Sequence, residues 1–289
     1  MEETNHPTTT IFIKQNCHPF YTLAKIIFLG TAGDSAVVSK QLRASGGIVL
    51  QIEELQFHLD PGPGALQRAK EFGVNVHHTS AILVSHNNIN HCNDVNVIVE
   101  AMTHGGIEHR GIVLGCKSVL QGTEEISPYL TKYHQNLVER IIPLERNHKV
   151  GIELVEIHAL PAEYTDPTAI GFKFFCPRFT LSYTGATALT PQLFEGLVGT
   201  DILVASVPYP GEKAQGQNLD THSVIKLISQ IRPRLAILTH FGLDMIKADP
   251  LVEAREVQRI TGVQTIAARD GLVISSEGFK EYTSPVKGF

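Results

Sequence analysis

Val84-Ser85-His86-Asn87-Asn88-Ile89-Asn90-His91 is the stretch on which the reading of this chain turns. Before it, Ala81-Ile82-Leu83-Val84 is an unbroken apolar run of strand length. After it, Val95, Ile98, Val99 and Met102 recur at the spacing of one helix face. A loop between a strand end and a helix start fans alternate side chains onto one face. That geometry gathers several ligands around a metal ion, and here it carries imidazoles and amides.

Working outward, the pattern is rich in strands first and alternating later. Lys25 to Gly30 reads as a buried strand, and Gly47 to Ile52 with Leu55 to Leu59 as a hairpin. A helix is expected near Ala65 to Phe72, another after His91, and strands at Gly111 to Leu114, Gly151 to His158, Gly171 to Phe175 and Phe179 to Tyr183. The last third alternates strand and helix: Asp201 to Ser206, Thr221 to Gln230, Leu235 to Thr239, Val252 to Ile260, Thr265 to Ala268. Strand-rich halves each followed by helices suit two sheets packed face to face with helices outside. Residues 1–22 are largely polar and aperiodic and read as a tail or an added edge segment, followed by one domain over 23–289.

Composition narrows the function classes. A net charge of -5 offers no basic face to a polyanion, so nucleic acid is unsupported as a partner. Cys17, Cys92, Cys116 and Cys176 lack paired metal-knuckle spacing and are too few for a disulfide scaffold, which suits a reducing, cytoplasmic setting. No apolar run reaches the roughly 18 residues that span a bilayer, and residues 1–16 lack a signal-peptide pattern, so no membrane partner is expected.

The loop resembles the His-x-His-x-Asp-His signature of the metallo-β-lactamase fold, with His86 and His91 in matching places. Asn88 stands where that signature has its second histidine, and Asn90 where it has its aspartate. The resemblance extends from about Ala24 onward. Asp60-Pro61-Gly62-Pro63-Gly64 looks like the family's strand-end turn, whose aspartate steadies the histidine loop from behind; any Asp-Pro-Gly turn has similar chemistry. In Ala162-Glu163-Tyr164-Thr165-Asp166-Pro167, Tyr164 occupies the third histidine's position. In Tyr183-Thr184-Gly185-Ala186-Thr187, Ala186 replaces the bridging aspartate, while Ala236 to Gly242 places His240 at the final ligand position. The resemblance implies an αββα sandwich of two mixed β-sheets with outer helices, closest to the phosphodiesterase or RNase Z-like branch of metal-dependent hydrolases.

Carried over residue by residue, the resemblance gives one metal His86, Asn88 and Tyr164, and the other Asn90, His91 and His240. Zinc takes thiolate, neutral imidazole and carboxylate; an amide oxygen is a poor substitute, and a phenol must first lose a proton. Two dications about 3.7 Å apart repel by something on the order of 18 kcal/mol at an effective dielectric of about 20. With Asn90 and Ala186 in place of both aspartates, nothing anionic on those positions offsets that repulsion. A dinuclear centre is therefore not expected. A remnant at His86, Asn90, His91 and His240 remains, able to hold one zinc or manganese ion weakly; the plainer alternative is that His91 and His240 are satisfied by neighbouring polar groups. The leading expectation is a non-catalytic binding or partner subunit, as a homo-oligomer or beside a related active subunit. The rival is a hydrolase with a single or rearranged metal site recruiting Asp166, Asp94 or Cys92.

Other chemistry is weaker. Cys92 at a helix start would have a lowered thiol pKa, though a buried apolar cysteine is commoner. Glu163 reads as a solvated loop carboxylate and Asp166, before Pro167, as a turn former. His222 follows Asp220 and Thr221, candidates for a helix N-cap. His104 and His109 flank Gly105-Gly106 without ligand spacing.

Overall fold

A computed structural model describes residues 24–214 and 216–275, so the expected tail and Cys17 lie outside the described residues. The described chain groups into two compact units, 24–143 with 268–275, and 144–267. Each is built on one seven-stranded mixed sheet carrying helices, the α/β class expected.

In the first unit the strands are β1 (Lys25–Phe28), β2 (Ile48–Ile52), β3 (Leu55–Leu59), β4 (Ala81–Val84), β5 (Ile112–Cys116), β6 (Arg140–Leu144) and a last strand, β14 (Val273–Ser275). Their order is β14-β1-β2-β3-β4-β5-β6. The hairpin β2–β3 turns on Glu53 and Glu54, with Glu53 at φ 54°. β4 is buried along its whole length and lies parallel to both neighbours, β3 and β5. A strand flanked on both sides and covered on both faces must be apolar throughout, which is why Ala81 to Val84 has no alternation. In the register, Leu59 pairs with Leu83, so β3 and β4 end side by side and deliver Asp60 and Ser85 to the same edge.

The second unit holds β7 (Lys149–Ile152), β8 (Val155–Pro161), β9 (Ile170–Phe175), β10 (Thr180–Tyr183), β11 (Ile202–Ser206), β12 (Leu235–Thr239) and β13 (Thr265–Ala267), ordered β13-β12-β11-β10-β9-β8-β7. β10 to β13 run parallel, and β9 runs against both β8 and β10. β8, β10, β11 and β12 therefore all end at one edge. Helix Thr221–Ile231 starts where Asp220 accepts the Ser223 amide at 2.8 Å, the capping read from the sequence, and buries Val224, Leu227 and Ile228 with Leu203 and Leu238 in one apolar cluster.

Two local expectations need correction. The run read as one strand from Gly151 to His158 is two, β7 and β8, joined at Glu153-Leu154 with Glu153 at φ 50°. Its turn carries no glycine, asparagine or aspartate, the residues that normally announce a positive φ, so apolar alternation ran straight through it. The helix expected after His91 is present as Val95–Met102, with Val95, Ile98, Val99 and Met102 buried, and a separate short one spans Ile89–Cys92 before it. Cys92 consequently ends a helix instead of starting one, and its buried thiol donates to the Asn88 carbonyl at 3.1 Å. Among the described residues no helix is long and apolar enough to cross a membrane.

Candidate metal centre

Asp60 leaves β3 with φ 50°, a left-handed conformation that aspartate tolerates better than most residues. Its amide donates to Leu83 O at 2.8 Å, so the turn is pinned to the end of β4. The carboxylate then points along the neighbouring strand end. Oδ1 accepts from the Ser85 amide at 2.7 Å; Oδ2 accepts from Ser85 Oγ at 2.7 Å and faces His91 Nδ1 at 2.8 Å. Gly62 explains the rest of the Asp-Pro-Gly turn: a Cβ there would fall 2.0 Å from Asn90 O and 2.1 Å from Ser45 O. Only glycine lets the histidine loop settle onto the turn.

These bonds fix two tautomers. Ser85 has one hydroxyl proton, given to Asp60, so at its 2.9 Å contact with His86 Nδ1 it must accept. His86 therefore carries its proton on Nδ1. His91 likewise donates Nδ1–H to Asp60. Burial pushes the His91 pKa from 6.5 down to about 3, so the pair is a neutral imidazole bonded to a carboxylate, despite its ion-pair geometry. Both rings, 4.0 Å apart between centroids, keep the Nε2 lone pair, the form that binds a metal.

The amides behave differently. Asn88 caps the short helix, its side-chain oxygen accepting the Asn90 amide at 3.0 Å. Asn90 Oδ1 is buried and has no hydrogen-bond partner among the described residues. A buried orphan acceptor is costly by about 1–3 kcal/mol, and a cation or a water would relieve it.

In the second unit, the common edge gathers the remaining sequence-predicted positions: Tyr164 after β8, Ala186 after β10 and His240 after β12, the last at φ 62°. The Glu163 amide donates to Thr187 Oγ1 at 2.9 Å and the Ala188 amide to Glu163 O at 2.9 Å, tying the Tyr164 segment to the Ala186 segment. Ala186 is buried, and it offers no donor atom. At the end of β11 the buried Ser206 Oγ has no hydrogen-bond partner among the described residues; sequence reasoning did not single it out. Asp166 Oδ1 accepts from the Thr168 amide and hydroxyl, both at 2.8 Å, which makes it a turn former. Asp94 is buried and accepts from the Asn93 amide side chain at 2.8 Å.

Residues 56–241 match the family described as "Beta-lactamase superfamily domain", and the chain belongs to it. It is 34% identical over 252 residues, 86% of this chain and 94% of its relative, to the uncharacterized protein MJ1374 of Methanocaldococcus jannaschii. Among solved structures it resembles the metallo-β-lactamase fold protein YhfI of Bacillus subtilis, with TM-score 0.73 and 15% identity over 88% of this chain and 100% of that one. It also resembles a diphosphatase of the PhnP family, with TM-score 0.65 and 18% identity over 88% and 97%. At such identities these two likenesses establish the fold alone, the metallo-β-lactamase α/β fold.

The buried histidines make acid stability a test of this packing. Burial also lowers His58 to about 4, against the opposing pull of its 2.9 Å bond to Gly46 O and of Asp60. Both groups sit below the 6.5 of an open chain, so the unfolded state binds more protons as pH falls. Stability from them is full above about 6.5 and drains away as pH drops toward 4 for His58 and 3 for His91. Urea unfolding between pH ~7 and ~5 should show a slope of up to about 2.7 kcal/mol per pH unit from the pair. Ring-proton NMR should show neither imidazole titrating in the native state across that window.

Proposed function

We propose that this chain is a β-lactamase-superfamily protein that has lost two-metal hydrolysis, holds at most one divalent cation, weakly, at its histidine loop, and serves as a non-catalytic binding or partner subunit. The observation that carries this reading is how the loop spends its polar atoms. Asn88 uses its oxygen to cap a helix, and the supporting carboxylate of Asp60 is committed to Ser85 and His91. The two imidazoles and two amides of His86, Asn88, Asn90 and His91 give the loop no anionic donor of its own, so its donor set does not fit two dications and their mutual repulsion. It does fit one: the Nε2 atoms of His86 and His91 and the orphaned Asn90 oxygen are chemically suitable for a single zinc or manganese ion.

That same orphaned oxygen favours a second reading, a single-metal hydrolase of phosphodiesterase type, in keeping with the likeness to a diphosphatase. Metal analysis of protein purified without chelator separates the two. The partner-subunit reading expects the metal that His91→Ala removes to be well under one ion per chain, and no hydrolysis of a bis-aryl phosphate in excess manganese. A tightly held ion per chain, lost in His91→Ala together with such hydrolysis, would establish the enzyme instead. A homo-oligomer or a complex with a related active subunit is the expected partner, which sedimentation of the purified chain tests.

A further inference from the structure

Away from the histidine loop, the first unit brings together three side chains that the sequence scatters. His77 lies in a 3-10 turn at Val76–His78; His104 follows the helix Val95–Met102; Glu108 lies four residues further on. Glu108 spans the two rings, with Oε2 at 3.0 Å from His77 Nε2 and Oε1 at 3.1 Å from His104 Nδ1. The imidazoles are stacked, 3.8 Å between centroids and 3° from parallel. One ligand atom from each of the three lies within 4.8 Å of the others.

We propose that His77, His104 and Glu108 form a second, surface site for a borderline divalent cation, with zinc as the best fit. Two imidazoles and a carboxylate are the donor types that zinc selects, whereas magnesium and calcium prefer all-oxygen shells. The cradle is held from behind. Thr103 Oγ1 donates to Val99 O at 2.9 Å and accepts the Gly106 amide at 3.1 Å; the Glu108 amide returns to Thr103 O at 3.0 Å. His104, Gly105 and Gly106 all have positive φ, which curls the loop so that the His104 ring lies over His77.

Arg110 anchors the other side, donating to His77 O at 2.6 Å, and its Nη1 also lies 3.2 Å from His77 Nε2. A bound ion would displace that second contact and keep the first, which makes the affinity modest. Bonds of about 2.0–2.1 Å also require the ring edges to draw together. His104 is 54% exposed, so solvent borders the side on which its ring would adjust. The ion would clasp the end of the helix to the 3-10 turn.

Zinc alone, titrated into the full chain and followed by calorimetry and thermal unfolding, tests this. A saturable event with a rise in melting temperature is expected, and no comparable event with magnesium. His104→Asn keeps a residue that tolerates the left-handed backbone, and Glu108→Gln leaves the surface shape intact. Each should weaken zinc at least on the order of ten-fold and remove the added thermal protection. Glu108 lies at the surface, so Glu108→Gln remains a valid test if the His104 variant folds poorly. Wild-type protein that takes up no zinc, or variants that bind it as wild type does, would overturn the proposal.

Discussion

Asn88→His combined with Asn90→Asp should raise the zinc affinity of the histidine loop on the order of 100-fold. Groups that merely orient metal ligands are worth 10–100-fold, so returning two direct donors belongs at the upper end of that range or beyond. The gain has a cost in the metal-free protein. Asn88→His removes the oxygen that caps the short helix, worth about 1 kcal/mol, and Asn90→Asp places an unpaired carboxylate at a buried position. The double variant should thus melt below wild type without zinc and above it with zinc. Calorimetry with paired melting curves measures both halves. A folded double variant that binds zinc no better than wild type would show that these positions do not face a metal, and the proposed loss of hydrolysis would lose its basis.

Asp60→Asn should be the most damaging conservative change in the first unit, by roughly 2–4 kcal/mol. Asparagine accepts a positive φ as readily as aspartate, so the backbone at φ 50° is not the cause. Three buried donors converge on the carboxylate, and an amide has one acceptor oxygen with an NH2 group facing the others. For a chain of this size the melting temperature should drop by roughly 5–15 °C. A second readout separates charge from packing. With an amide donor opposite Nδ1, His91 would take up the other tautomer and lose its Nε2 lone pair, visible in the nitrogen shifts of its ring. An unchanged tautomer together with an unchanged melting temperature would refute the role assigned to Asp60.

The surface site shows how chemistry escapes a reading along the chain. His104 and Glu108 are four residues apart, but their partner His77 lies on a different element, and nothing in the spacing joins them. The second unit offers the converse case. Tyr164, Ala186 and His240 were picked out by motif, and the directions of β8, β10 and β12 place all three at one sheet edge. The helix Pro191–Leu197 was signalled and missed: Thr190 accepts the Leu193 amide at 3.1 Å and Pro191 opens the first turn, the usual start of a helix.

Elements with local causes are legible along the chain. Apolar runs made β4, β11 and β12, helical periodicity made Thr221–Ile231, and the spacing of His86, Asn88, Asn90 and His91 placed two imidazoles and two amides between a strand and a helix. What those side chains do depends on neighbours brought by folding. Proton positions on His86 and His91 follow from Ser85 and Asp60, and Asp60 reaches them because two parallel strands end in register. Hydrogen-bond direction, burial and the convergence of distant ligands depend on neighbours that strand pairing supplies, and pairing is a property of the folded chain rather than of any one segment.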